Sequence, residues 1–240
     1  MAIIDRESLK NNFEKGAMPT QQDFEDLVDS MFHKQDDGLI SEDDGLKLSP
    51  KGSAAKMISF FNSLNDFKPT WGLEQYPRNT GEFGLNLVNG QGESKLFIQE
   101  GGNIGVGTME PADKLTVSGN VSMQGRRGTY AAGKVPGDGN WHTIISSLNG
   151  CSAFEIIAKV GKSGKGLYGM VHALAMSAFG KSNNTIQKTD AYYGSFRNKM
   201  DLRWTGDVFD YSLQIRSNRD YGEESMIKYY VTNLWWEDEE

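Results

Sequence analysis

The stretch from residue 84 to residue 123 constrains the fold most, because it consists of short apolar segments separated by glycines. The segments are centred at Leu85, Leu96, Ile104 and Leu115, and spacings of about 8 to 11 residues are typical of short strands joined by turns. Each segment offers only two or three apolar side chains on one face, and an isolated hairpin of such strands is marginally stable in water. We therefore expect other copies of the chain to supply the missing apolar surface.

The apolar positions of this stretch alternate as burial of one sheet face requires. They predict an oligomer interface made of Leu85, Leu87, Leu96, Ile98, Ile104, Val106, Leu115 and Val117.

Residues 102–121, GNIGVGTMEPADKLTVSGNV, resemble a segment that recurs in phage tail fibres and in fibre-like proteins of phage-derived contractile injection systems. The resemblance implies a homotrimer at the periphery of such a particle, as a fibre-like protein or one associated with the baseplate or cap. It leaves open whether the trimer contacts lie in this β stem, residues 84–125, or in the domain that follows.

Residues 1–36 predict an N-terminal helical docking segment. Gly16 is placed to end a first helix, and Thr20 opens a second helix with Asp23 in a capping-box position. The second helix carries an apolar stripe at helical spacing. This stripe consists of Phe24, Leu27, Val28, Met31 and Phe32. It fits either a local helical hairpin packed on the rest of the chain or a module that docks on a neighbouring protein, and a resemblance to the starts of tail-associated proteins favours docking.

Residues 37–83 predict a polar connector. Its repeated Asp-Asp-Gly-Leu turns do not match a calcium-binding EF-hand loop, since the first ligand position would fall on His33 or Ile40. The apolar patch at residues 57–64 has no clear secondary structure from its pattern.

Residues 126–240 predict a C-terminal antiparallel β-sandwich head, jelly-roll-like, because seven or eight strands with clean alternation follow one another. In residues 208–216, Phe209, Tyr211, Leu213 and Ile215 face one way while the polar residues face the other. Residues 170–179 fit a helix or a strand buried on both faces, and we favour the strand. The chain as a whole is therefore predicted to be mainly β.

The composition argues against nucleic acid as a partner, because 25 basic and 32 acidic residues give a net charge of −7. The two Gly-Lys-Ser triplets lack the earlier glycine of a phosphate-binding loop. The lone Cys151 is expected to be buried and has no catalytic partner nearby in the sequence. We expect no enzyme activity, no cofactor and no metal. The N-terminus lacks a signal peptide, so we expect synthesis as a soluble cytoplasmic protein and function in an assembled particle, including outside the cell after release.

The last third of the chain is rich in aromatic residues. Adjacent aromatic residues in a strand point to opposite faces, so some rings must be exposed. Tyr192, Tyr193 and Trp236 form the candidate ligand surface, although inter-subunit packing uses the same residue types. The sequence thus favours a non-enzymatic structural component of a tail or injection particle. The alternatives are an adhesin whose head binds a surface glycan or receptor, and a polysaccharide-degrading enzyme, for which we find no cluster of carboxylates.

Overall fold

The computed structural model describes residues 4–31, 39–43, 45–49, 55–63, 65–75 and 83–236. The chain divides into two compact units, Met1–Ser122 and Met123–Glu240, and we call the second unit the head. Antiparallel sheets dominate both units, which confirms the predicted mainly β class. No helix among these residues is long and apolar enough to cross a bilayer.

Two short helices, α1 (Arg6–Asn12) and α2 (Gln21–Asp29), occupy the N-terminal segment as predicted. The Thr20 hydroxyl and the Asp23 carboxylate form the expected capping box at the start of α2. The ring of Phe13 meets the ring of Phe24 edge-on at 5.4 Å, which joins the two helices. Helix α2 ends before Met31, so the apolar stripe extends beyond the helix, and Phe32 lies outside the described residues.

A β-hairpin of β1 (Leu39–Glu42) and β2 (Gly45–Leu48) follows the helices. Six further strands then form one sheet in chain order, which we call the stem sheet. They are β3 (Lys56–Phe60), β4 (Trp71–Gln75), β5 (Gly84–Asn89), β6 (Ser94–Gln99), β7 (Ile104–Val106) and β8 (Leu115–Val117).

The prediction of a polar connector over residues 37–83 is wrong for residues 56–75, because they supply the first two strands of the stem sheet. The apolar patch at residues 57–64 begins with β3, whose Ile58 pairs with Leu73 of β4. Leu73 pairs in turn with Leu87 of β5. Apolar side chains thus continue across these pairs, and the sheet begins before residue 84.

One face of the stem sheet carries a small core. Val88, Phe97 and Asn86 are almost fully buried there. The chain after β7 folds back over this face, and the Asn103 amide donates a hydrogen bond to the Pro111 carbonyl oxygen over 3.2 Å. Gly105 allows the chain to fold back in this way, since a side chain at that position would collide with the Thr108 carbonyl group.

The described residues of the head form eight strands in two sheets. The five-stranded sheet has the order β13-β12-β11-β16-β9 and the three-stranded sheet has the order β10-β15-β14. The strands are β9 (Ala131–Pro136), β10 (His142–Leu148), β11 (Ser152–Lys162), β12 (Leu167–Ser177), β13 (Thr185–Tyr193), β14 (Met200–Asp207), β15 (Asp210–Ser217) and β16 (Met226–Asn233).

Buried side chains from both sheets of the head form a single hydrophobic core, which confirms the predicted β-sandwich. Ile156 and Val231 come from the larger sheet, while Met200, Leu213 and Ile215 come from the smaller one. Each of these five side chains is essentially inaccessible to solvent.

Strand β12 confirms that residues 170–177 are extended, but the expectation that both faces are buried is wrong. Val171, Ala173 and Ala175 point into the core, whereas the residues between them point outward and are exposed. The reason is that, within the part of the chain that the structure describes, a core covers one face of β12 and its alternating side chains are buried on that side. Cys151 was also expected to be buried, yet it lies exposed just before β11.

The loop after β9 is held by a hydrogen bond from His142 Nε2 to Asp138 Oδ1 over 2.8 Å. This bond is the main reason why the pKa of Asp138 falls from its ordinary value of 3.8 to about 2. A carboxylate with a depressed pKa stabilises the fold above about pH 4, and this contribution is lost as the pH falls towards 2.

We expect Asp138→Asn to lower the stability of the head at pH 6 and to flatten its pH dependence between about pH 4 and 2, because the titrating carboxylate is gone. Urea denaturation at a series of pH values measures both effects. Asp210→Asn, in an exposed hairpin, is the matched control and should retain the acid sensitivity of the original chain. An unchanged pH profile in Asp138→Asn would contradict the assignment.

Candidate functional site

The eight side chains predicted as an oligomer interface lie on one face of the stem sheet, opposite its small core. Strand pairing places them in two rows. One row contains Leu85, Ile98, Ile104 and Leu115, and the other contains Leu87, Leu96, Val106 and Val117. We call these eight residues the stem face. The structure brings them together as neighbours, although they come from four strands.

The stem face is open to solvent. Leu85 and Ile98 each retain 40 % exposure and Leu115 retains 61 %. Strands β3 and β4 extend the same apolar surface through Phe60 and Trp71, which are exposed register partners. Sequence reasoning missed this extension, and the signal that could have revealed it was the apolar run that begins at Met57.

The helical segment also exposes apolar side chains. Phe24, Val28 and Met31 are each more than half exposed. A groove of about 610 Å³ runs between the helices and is lined by Leu9 and Leu27, among others. Four of the five predicted docking residues are therefore described, and they form a partly open apolar surface around the helical pair.

The three predicted ligand-surface aromatics do not form one surface. The Lys199 ammonium lies 5.2 Å from the centre of the Tyr192 ring, and Tyr193 is the register partner of Tyr168 at one end of the five-stranded sheet. Trp236 follows Trp235, which lines a cavity with Thr185 at the other end of β13. Strand β13 has nine residues, so its two ends lie about 25 Å apart. The tyrosines are at one end, and Trp236 follows the residue that lies near the other end.

The outer face of the five-stranded sheet contains a row of basic residues that sequence reasoning did not find. Lys159 pairs with Lys228, and Lys228 pairs with Lys134, so three lysines stand side by side on three neighbouring strands. We call these three residues the lysine row. No signal in the linear sequence could have revealed it, because it depends on the register of strands far apart in the chain.

Beside the lysine row lies Tyr230, two residues beyond Lys228 along β16 and on the same face. The Arg127 guanidinium is 5.0 Å from the centre of its ring, and the Lys228 ammonium is 5.4 Å away. A hydrogen bond with Lys228, together with the charges of Arg127, Lys228 and Lys159, lowers the pKa of the Tyr230 hydroxyl. These positive charges are therefore close enough to Tyr230 to favour the ionised form of its hydroxyl.

A cavity of about 280 Å³ lies between Tyr230 and the chain that enters the head. Its acidic group, Glu155, forms an ion pair with Arg126 and accepts a hydrogen bond from His172 Nε2 over 3.0 Å. Glu155 is therefore already engaged by two basic neighbours. The cavity and the lysine row together form a surface suited to negatively charged groups.

The described residues contain no candidate metal site, since no three histidine, cysteine, aspartate or glutamate side chains come together among them. The Cys151 thiol donates a hydrogen bond to the Ala178 carbonyl oxygen over 3.0 Å. Neither observation points to a reaction.

Comparison with protein-family models and with curated proteins gives no match to this chain.

Proposed function

We propose that this protein is a non-enzymatic structural component of a phage tail or a related contractile injection particle, and that it assembles as a homotrimer through the stem face. The observation that carries the proposal is the open apolar face made of eight aligned Leu, Ile and Val side chains. The resemblance of residues 102–121 to tail-fibre segments supports both the particle and the threefold symmetry.

Self-association explains why the stem face is apolar. Fully burying one Leu or Ile side chain contributes about 1.5 to 3 kcal/mol, and Leu85, Ile98 and Leu115 still expose a large part of that surface in the single chain. Contiguous exposed apolar patches commonly mark interaction sites. Other copies of the chain offer the same rows of side chains, and a closed ring of three copies would cover each stem face without leaving an open edge.

The helical segment is proposed as the attachment point to a neighbouring tail, baseplate or cap protein. Its exposed residues Phe24, Val28 and Met31 present an apolar stripe, and the groove of about 610 Å³ gives a partner side chain a place to insert. Amphipathic helices commonly bind partners through such a face. This attachment would set the position of the trimer in the particle.

The trimer is tested by measuring mass with light scattering at micromolar concentration. We expect a mass near three times that of the 26.7 kDa chain. Leu115→Glu should yield monomers, because the change introduces a charge into the apolar rows of every subunit. Ala112→Glu is the matched control, since it adds the same charge three positions earlier at an exposed residue outside the stem face.

A monomeric original chain would overturn the trimer proposal. A Leu115→Glu variant that remains trimeric would show that the contacts lie elsewhere, with the head as the next candidate.

A second role, as an adhesin, is favoured by the outer face of the five-stranded sheet. Tyr168 and Tyr193 remain 46 % and 66 % exposed there, and the lysine row lies on the same face. Aromatic rings next to charged groups are the residue types that recognise sugars and proteins. The head would then bind a cell-surface glycan or receptor while the stem provides the trimer.

A further inference from the structure

We infer that the outer face of the five-stranded sheet binds a saccharide bearing carboxylate or sulfate groups, held by the lysine row with Tyr168 as a stacking surface for a sugar ring. The inference rests on the proposed adhesin role of the head and names the chemistry of its ligand. It does not depend on the trimer.

The lysine row is a site that lacks its counter-charge. Cross-strand partners have Cβ atoms about 5 Å apart, and like charges placed directly opposite each other destabilise a sheet. Lys134, Lys159 and Lys228 form no ion pair with any carboxylate of the described residues. An anionic ligand would relieve this repulsion, which gives the row a binding energy that an isolated lysine does not have.

The nearby acidic group does not neutralise the row. Glu155 lies on β11 on the same face, but it is bound by Arg126 and His172. Arg127 adds a further positive charge beside Tyr230. The surface is therefore locally positive on a chain whose net charge is −7.

Tyr168 supplies a flat apolar surface next to these charges. Its register partner is Gly161, and the two residues are so close that a Cβ at Gly161 would lie 2.6 Å from the Tyr168 Cδ1 atom. The ring thus packs over the glycine and remains 46 % exposed. Gly161 and Lys159 are two residues apart on one face of β11, so the ring lies about 7 Å along the strand from the lysine row.

An acidic saccharide fits this surface better than a nucleic acid or an anionic membrane does. A ring and a charged row at neighbouring positions match a ligand whose sugar rings and anionic groups also lie side by side. The net charge of −7 repels a long polyanion or an anionic bilayer, and the lysine row with Arg127 is too small a positive patch to offset that repulsion.

The test is isothermal titration of the full-length chain with oligogalacturonate, a heparin-derived oligosaccharide, neutral maltohexaose, a single-stranded oligonucleotide and phosphatidylserine vesicles. We expect binding to at least one of the two acidic oligosaccharides, weakening as salt is added because charges are screened. The double variant Lys159→Gln/Lys228→Gln should bind at least about tenfold more weakly, since charge-assisted hydrogen bonds are lost.

The matched control is Lys95→Gln/Lys181→Gln, which removes the same charge at two exposed lysines that do not belong to the five-stranded sheet and should retain the affinity. Tyr168→Ala should weaken saccharide binding about tenfold while leaving its salt dependence unchanged, because the ring carries no charge. A thermal melt of each variant shows that the head still folds.

The outcomes separate the inference from the proposed function. Binding of maltohexaose alone would overturn the acidic ligand and retain the adhesin role, whereas no binding of any saccharide would overturn both. If the oligonucleotide or the vesicles bind more tightly than the saccharides, and Tyr168→Ala does not affect that binding, the inference that the ligand is a saccharide would be overturned. The mass of the trimer is measured separately and is not changed by any of these results.

Discussion

Replacing Gly169 by alanine is expected to lower the free energy of unfolding of the head by about 2 to 5 kcal/mol, through overpacking and a strained buried hydrogen bond. Gly169 lies in β12, where a Cβ would come within 2.1 Å of the Asn198 carbonyl oxygen. Atoms cannot approach so closely, so either β12 or the chain at Asn198 must move.

The movement is costly because the Asn198 carbonyl group is part of a buried hydrogen-bonded arrangement. The Tyr221 hydroxyl donates to this oxygen over 2.7 Å, and the Asn198 amide donates to the Tyr193 carbonyl oxygen over 2.6 Å. Burial raises the pKa of Tyr221 to about 12, so the hydroxyl keeps its proton and remains a donor at all ordinary pH values. A displaced Asn198 would leave the buried hydroxyl without its acceptor.

Calorimetry measures the effect as a thermal midpoint lower by roughly 10 °C. Gly125→Ala is the matched control, since a Cβ there meets nothing within 4 Å. The control should have the same thermal midpoint as the original chain. Equal thermal midpoints for Gly169→Ala and the control would show that β12 and Asn198 lie further apart than in the structure.

Phe97→Ala is expected to destabilise the stem sheet by about 3 to 5 kcal/mol, the usual cost of deleting a buried aromatic ring. Phe97 is fully buried on the closed face of the sheet, beside Val88 and Asn86. Its ring lies directly against Gly84, where a Cβ would be 2.6 Å from the Phe97 Cε2 atom. Among the described residues, Val88 and Asn86 are the other side chains of this face that are almost fully buried, so we expect the space left by the ring to stay largely unfilled.

The same variant should also weaken the proposed trimer, because Phe97 holds in place the strand that carries Leu96 and Ile98 of the stem face. Urea denaturation at fixed chain concentration measures the stability, and light scattering measures the mass. Phe67→Ala is the matched control, since this phenylalanine is fully exposed and should change neither quantity. Equal effects of the two variants would mean that Phe97 is not a core residue of the stem.

The sequence by itself determined the features that depend on neighbouring residues alone, such as helix caps and the apolar side of an alternating strand. The capping box at Thr20 and Asp23 is a local interaction within four residues, and the structure contains it. The alternation of Tyr211, Leu213 and Ile215 likewise needs no partner to be recognised, because side chains alternate across any strand. Phe209, which we grouped with them, lies in the turn before β15 and is exposed.

Only the tertiary structure decided which strands are neighbours and what covers each face. The alternation of side chains along a strand identifies its apolar side. It does not identify the strand that pairs with it or the sheet that packs on it. For this reason residues 56–75 were predicted as connector although their strands β3 and β4 pair with each other and β4 pairs with β5. For the same reason β12 was expected to be buried on both faces although one sheet covers it. The same reason applies to the lysine row, since Lys134, Lys159 and Lys228 become neighbours only through the register of three strands that are distant in the chain.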